Sequence, residues 1–371
     1  MAALTMNPST LVTVNVGSSS VKLDIFDVDV ARRRVVGRTS DVVAHDAGVG
    51  LDAFFRQHSL DPRTIVAIVH RVVHGGDVLA RASLLTPALS GRLASLEPLA
   101  PLHNPVAFEW VRAASSFECP QVLAPDTAFF ANLPDVAKHY AVPAEIARTH
   151  GLRRFGFHGL AHQAMRDYRS AAEGTSTGKV VTLQLGSGCS AAAIGDGEPV
   201  DTSMGFSPLE GLVMATRSGD IDPGIILWLM SQAGMASDEV RRLLDSSSGL
   251  LGVSGVSADM RELLEREDER SRLAIALYVY RIRKYIGAYA AVLGGLDGVV
   301  FGGGVGENSP VIRERVLAGM TWCGIRLDDR RNASGEPGLV SSPSSRVRVY
   351  VAPVDEARVM ADAALDVLSV R

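Results

Sequence analysis

Cysteine is scarce in this 371-residue chain: Cys119, Cys189 and Cys323 stand far apart and form no CxxC pair. That spacing excludes a disulfide framework and implies a reducing compartment. Basic clusters are also missing. A net charge of −4 with no dense Lys/Arg block argues against a nucleic-acid partner. No apolar run reaches transmembrane length, and the opening MAALTMNPST lacks the basic stretch and apolar core of a signal peptide. The expectation is a soluble cytoplasmic protein without a membrane partner. No GxxxxGK[ST] string occurs, so the Walker A phosphate loop is excluded as well.

What is present is apolar mass and a repeated hairpin. The apolar fraction of 47% suffices for real cores, and the length suggests two domains. Residues 11–28, LVTVNVGSSSVKLDIFDV, read as strand, tight turn, strand. Leu11, Val12, Val14 and Val16 suit a buried strand. The tip carries Gly17, Ser18, Ser19 and Ser20, with Lys22 just beyond. Close backbone N–H groups, hydroxyls and a lysine are the parts that hold a phosphate; an ordinary surface hairpin is the alternative. The stretch recurs at 181–196, VTLQLGSGCSAAAIGD, at a constant offset of 181 − 12 = 169 residues. Gly186-x-Gly188-x-x-Ala191 resembles a dinucleotide fingerprint, but Gly195-Asp196-Gly197 closes the segment before a helix can follow. Two phosphate hairpins suggest duplicated domains gripping a nucleotide.

Along the chain, 32–50 is polar and Gly-punctuated, 51–58 reads as a short helix, and 64–73 as a buried strand ending at Gly75-Gly76. His70 and His74 would share one face of that strand, so a metal pair is conceivable, although no Glu or Cys partner has suitable spacing. Arg71, among valines at a strand end, needs a carboxylate or phosphate to face. Residues 121–125 read as a strand with Asp126 at its C-terminal end, where open α/β sheets carry functional groups; Asp126 could also simply cap a turn. Arg153 to His158 is a compact basic and aromatic cluster, or else a solvated turn. The Gly-, Pro- and acid-rich run 201–224 is longer than a turn requires, which marks a functional loop. A long helix over 271–293 carries Leu273, Ala276, Leu277 and Tyr280 on one stripe. A strand over 296–301 leads into a glycine-rich loop, 302–306, and a helix started by Ser309 and Pro310, a site that a nucleotide can approach closely. The last segment reads as strand 348–352 and helix 355–368, where Glu356 favours the helix dipole.

These strings resemble the acetate/propionate/butyrate kinases of the actin–sugar kinase–heat-shock ATPase superfamily: NVGSSSVK, HRVVHGG, LAPLHNP, DTAF, RRFGFHG, DTSMGFSPLEG, TRSGDIDPG, SGLLGVSG and GGGVGENS. The resemblance implies an α/β protein with a duplicated ribonuclease H-like (actin-like ATPase) core. It implies a first domain of 1–150 plus 356–371, a second of 151–355, an active cleft between them, and a homodimer. It also implies reversible transfer of the ATP γ-phosphate to acetate, or another short-chain carboxylate, giving an acyl phosphate and ADP with Mg²⁺ or Mn²⁺. Carried over by motif, Arg71 and Arg217 would bind the carboxylate and the phosphoryl group, His158 would stabilise the transition state with His103 close by, and Asp126 would be the acidic residue. Val73, Leu102 and Phe157 would line the acyl pocket, and Asn15 and Glu356 would place the metal. Ser18, Ser20, Lys22, Gln184, Leu185, Gly186, Ser187 and Gly188 would hold the phosphates. Asp259, Met260, Arg261, Gly304, Val305, Gly306, Glu307 and Asn308 would surround the nucleoside.

Three departures stand out. Gln184 and Ser187 occupy the usual His and Asn positions of the second hairpin. Leu160 and Ala161 replace two hydroxyl residues after His158. Phe130 replaces a frequent histidine. As these positions are expected in the active cleft, they could alter acyl substrate, phosphoryl donor or activity. A sugar kinase is the competing enzyme reading, but it offers no reason for paired arginines. A nucleotide-binding switch with little turnover is the non-enzymatic one.

Overall fold

The structure is a computed structural model that describes residues 10–17, 21–29, 34–43, 47–101 and 103–369. The chain divides into two compact units, Met1–Ala131 with Asp355–Arg371, and Asn132–Val354.

The first unit is built on a six-stranded sheet. Its strands are β1 (Thr10–Val16), β2 (Val21–Asp29), β3 (Arg34–Val43), β4 (Ile65–Val72), β5 (Ser83–Leu84) and β6 (Gln121–Pro125), in the order β3-β2-β1-β4-β6-β5. β1 is buried throughout, as its β-branched run requires. It pairs antiparallel with β2 and parallel with β4, and β4 in turn runs parallel to β6. The polar run after the first hairpin is not simply a connection: β3 lies antiparallel on β2, and the next helix already begins at Ala47. Helices Ala47–Gln57 and Asn104–Ala114 bring Leu51, Phe54, Phe55 and Trp110 onto the valines of β1. Each such side chain contributes about 1.5–3 kcal/mol by burial. The helices approach so closely that a Cβ at Gly50 would lie 2.7 Å from the Trp110 ring. The C-terminal helix Glu356–Ser369 packs on β1, β4 and β6 through an alanine-rich face.

The second unit repeats the plan strand for strand. β7 (Lys179–Leu185), β8 (Cys189–Gly195), β9 (Glu198–Thr202), β10 (Gly298–Gly302), β11 (Gly338–Leu339) and β12 (Arg348–Val351) follow the order β11-β12-β10-β7-β8-β9. Read from the hairpin edge, this is the first sheet again, with the same parallel and antiparallel pairings. Residues 132–150 pack with this unit: His139 bridges to Arg153, and the Lys138 carbonyl accepts from Arg154 N–H.

Two local expectations are corrected here. The stripe Leu273, Ala276, Leu277 and Tyr280 on helix Glu269–Val292 faces outward, with Tyr280 64% exposed. The core face is Ala274, Ile275, Tyr278, Val279 and Ile282, since the helix is apolar on both sides and periodicity alone does not choose between them. The glycine-rich segment after β10 is not a loop but a helical turn, Gly303–Asn308. It starts at φ +76° on Gly303, where a Cβ would lie 2.8 Å from the Leu185 carbonyl oxygen. Glycine is required there twice over.

Candidate functional site

In the first unit four sequence-predicted residues meet at the ends of β1, β4 and β6. Arg71 and Asp126 extend from neighbouring parallel strands, so their side chains pair directly. Arg71 Nη2 lies 2.7 Å from Asp126 Oδ2, and its Nε donates to both carboxylate oxygens at 3.2 and 3.3 Å. Asp126 is fully buried and Arg71 nearly so. Arg71 Nη1 also donates to Asn15 Oδ1 at 3.1 Å and lies 3.4 Å from Glu356 Oε2, while Asn15 Nδ2 donates to Glu356 Oε2 at 2.8 Å. Burial alone would lower the Arg71 pKa, but the Asp126 and Glu356 carboxylates overcome it and raise the pKa above the ordinary value. Asn15 and Glu356 thus present one neutral and one charged side chain with hard oxygen donors side by side. Mg²⁺ takes such donors and keeps several waters, so two protein ligands suffice. No group of three or more His, Cys, Asp and Glu suited to a metal occurs among the described residues.

The His70–His74 pair does not form. β4 ends at Val72, so strand alternation stops before His74, whose Nδ1 accepts from Gly76 N–H. His103 stands just before helix Asn104–Ala114, and Val73 and Phe157 are buried. Lys22 is exposed at the start of β2. Ser18, Ser20 and Leu102 lie outside the described residues.

In the second unit His158 precedes helix Gly159–Glu173 at φ +57°, a strained conformation for a residue with a Cβ. A Cβ on Gly188, at the tip of the β7–β8 hairpin, would lie 3.2 Å from His158 Nε2 and 3.5 Å from Arg217 Nη1. The imidazole and the guanidinium therefore converge on one glycine. Arg217 has no carboxylate within 4 Å among the described residues; its Nη1 finds the Pro208 carbonyl at 3.4 Å and the Met214 thioether at 3.8 Å. Burial pushes its pKa down, with Asp245 opposing at longer range. A poorly paired, desolvated cation of this kind is an anion site in waiting.

Beside this pair opens a cleft of about 780 Å³. Gly186 and Ser187 of the hairpin tip line it, as do Asp259, Met260 and Arg261, and Gly304, Val305 and Asn308 from the turn after β10. Arg261 pairs with Asp259 at 2.6 Å and, by that hydrogen bond, holds its carboxyl down to about 2. Leu185 is buried in the core, and Gly306 is buried within the turn. The Glu307 carboxylate turns inward, accepting from Gly303 N–H at 2.9 Å and Val354 N–H at 3.2 Å. Gln184, the penultimate residue of β7, has its amide against Gly303.

The Arg153–His158 cluster is no solvated turn. Arg154 pairs with Glu210 at 2.7 Å and donates to the Thr202 and Met204 carbonyls, and Arg153 stacks on Phe155 at 4.0 Å. Leu160, Ala161 and Phe130 are core residues with at most 5% exposure. Those departures therefore change packing rather than cleft chemistry. Sequence reasoning missed Ser190, whose hydroxyl lies 2.9 Å from His158 Nδ1, and His162, one helical turn after His158. The His-x-x-x-His spacing was the available signal.

The model of the acetokinase family matches residues 51–362. The acetate kinase of Chloroherpeton thalassium is 45% identical over 309 residues, covering 80% of this chain and 74% of that protein. The crystal structure of Porphyromonas gingivalis acetate kinase superposes with a TM-score of 0.85 at 35% identity, covering 98% of this chain and 99% of that one. A propionate kinase from Francisella tularensis superposes with a TM-score of 0.86 at 31% identity, covering 96% and 98%.

Proposed function

From the premise that this chain belongs to the acetokinase family, we propose that it transfers the γ-phosphoryl group of ATP reversibly to acetate, giving acetyl phosphate and ADP. The observation that carries the reading is the convergence of His158 Nε2 and Arg217 Nη1 on Gly188, beside the cleft lined by Gly186 and Ser187.

Phosphoryl transfer asks the protein to position reactants and neutralise charge on the transferring group. Arg217 and His158 supply two donors for its equatorial oxygens. The nucleophile is a carboxylate already ionised at neutral pH, so no general base is required. Asp126, engaged through three contacts with Arg71, fits an orienting role: it fixes the guanidinium that receives the acid. Asn15 and Glu356 would hold Mg²⁺, which when bound neutralises charge on the nucleotide phosphates. Ser187 and Gly186 suit the nucleotide phosphates, and Asp259 to Arg261 with Gly304 to Asn308 suit the nucleoside. Propionate is the second acceptor, favoured by the likeness to the Francisella propionate kinase.

A homodimer is part of the proposal. The exposed apolar residues Ile225, Leu227 and Trp228 on helix Pro223–Ser231, and Leu273 and Tyr280 on helix Glu269–Val292, support it. A cytoplasmic setting is supported by the cysteine usage, and among the described residues no helix is long and apolar enough to cross a membrane.

The test is trapping of acyl phosphate as hydroxamate with ATP, Mg²⁺ and a panel of acetate, propionate, butyrate and sugars. Hydroxamate with acetate and no sugar-dependent ATP consumption is expected. ATP turnover dependent on a sugar, or none with any acid, would overturn the reading.

A further inference from the structure

His158 is not held by its backbone alone. Ser190 Oγ lies 2.9 Å from His158 Nδ1 and 2.8 Å from His162 Nε2, and His162 Nδ1 lies 2.7 Å from Thr182 Oγ1. Ser190, His162 and Thr182 are all fully buried. Thr182 and Ser190 sit on the paired strands β7 and β8, and His162 lies one turn along the helix that His158 precedes.

The hydrogens in this row can be counted. A serine hydroxyl between two ring nitrogens donates to one and accepts from the other. Burial pushes His162 well below its usual pKa, so it is neutral and carries a single N–H. Among the described residues the Thr182 hydroxyl contacts only His162. Were it to accept there, its own hydrogen would be buried without an acceptor, which costs more than an unused lone pair. Thr182 therefore donates to His162 Nδ1, His162 Nε2–H donates to Ser190, and Ser190 donates to His158 Nδ1. The proton of neutral His158 is left on Nε2, the edge that meets Gly188 and Arg217.

We propose that Thr182, His162 and Ser190 are positioning residues that fix His158 as the Nε2–H tautomer, so that it donates to the transferring phosphoryl group. This consequence for catalysis rests on the phosphotransferase reading above; the tautomer itself does not.

The experiment combines ¹⁵N spectra of protein labelled at histidine with kinetics, assigning His158 by difference against His158→Gln. In the unaltered protein, neutral His158 and His162 should both show the Nε2–H pattern; an Nδ1–H pattern at His158 overturns the proposal without any variant of the row. Ser190→Ala removes one buried atom. It should bring an Nδ1–H population to His158 and lower kcat by about tenfold, with KM for ATP and acetate within about twofold. Ser190→Thr, which keeps the hydroxyl, should restore both. An unchanged His158 spectrum in Ser190→Ala, or kcat within twofold of the unaltered enzyme, refutes the positioning role. Protein that makes no acyl phosphate yet shows the Nε2–H pattern refutes the activity and upholds the row.

Discussion

Asp126→Asn separates an orienting acid from a proton-transferring one. The substitution keeps shape but removes the charge that faces Arg71 at 2.7, 3.2 and 3.3 Å inside the first unit. Removing one member of a buried ion pair costs about 3–5 kcal/mol, because the other charge stays desolvated and unpaired. Here the Arg71 guanidinium retains Glu356 at 3.4 Å and Asn15 at 3.1 Å, and the new amide oxygen still accepts. The lower end, about 3 kcal/mol, follows. For a unit of this size each kcal/mol shifts the melting temperature by about 2–4 °C, so the transition that reports the first unit should fall by about 6–12 °C in calorimetry.

Activity should fall in a particular way. A guanidinium no longer fixed in place weakens acetate binding, so KM for acetate should rise about tenfold or more while KM for ATP stays within about twofold. The carboxylate nucleophile needs no base, so the pH–rate profile should keep its shape. A melting temperature within 2 °C of the unaltered protein would refute the buried-pair argument. A collapse of kcat with unchanged KM for acetate would show that Asp126 acts in the chemical step.

Gly188→Ala should leave stability within about 1 kcal/mol, since Gly188 is not in the left-handed region, yet lower kcat about tenfold as its Cβ displaces the His158 ring 3.1 Å away. Wild-type kcat would remove Gly188 from the site. Ser187→Asn adds an amide donor at the cleft; one hydrogen bond to a charged group is worth about 1.5–3 kcal/mol, part of it available from water, so KM for ATP should fall about three- to tenfold. Activity with pyrophosphate and none with ATP would sink the nucleotide reading. Burial pushes His70 down to about 3 from its usual 6.5, so below pH 6.5 the unfolded chain takes up a proton that the folded chain refuses. Its contribution is fully present above pH 6.5 and is lost at about 1.4 kcal/mol per pH unit toward pH 3. His70→Leu should flatten the stability slope between pH 6.5 and 5 by about one proton, and an unchanged slope would place the titration elsewhere.

Much of this was legible in order but not in orientation. The alternation of residues 11–28 and its copy 169 residues later mark both hairpins, and β1 and β7 coincide under that offset residue for residue. An arginine among valines at the end of β4 called for a carboxylate or a phosphate, and Asp126, directly after β6, supplies the carboxylate. Local pattern did not reveal which apolar face of helix Glu269–Val292 is buried, because burial is decided by the sheet it packs on. Nor did it reveal the polar row behind His158, whose members come from two strands and a helix. Glu307 was legible as part of a nucleotide segment, but the direction of its carboxylate depends on backbone N–H groups at Gly303 and Val354, 47 residues from Glu307 at the farther one.

The repeated sheet also explains why the two halves present different chemistry. Strand order and pairing are common to both units, so equivalent strand ends occupy equivalent places in each. The carboxyl ends of parallel strands are where α/β sheets hold ligands. In the first unit those ends carry Arg71 and Asp126, a charged pair that neutralises itself and leaves Arg71 edges for Asn15 and Glu356. In the second, β10 ends in Gly302, and at Gly303 the chain turns at once into a helix against the cleft. Glycine there leaves the backbone open to close approach, whereas its counterpart carries an arginine whose charge is met by Asp126 and Glu356. On the proposed reading, the same scaffold would take a small acid by charge and a nucleotide by close backbone approach, and the difference rests on a few residues at strand ends.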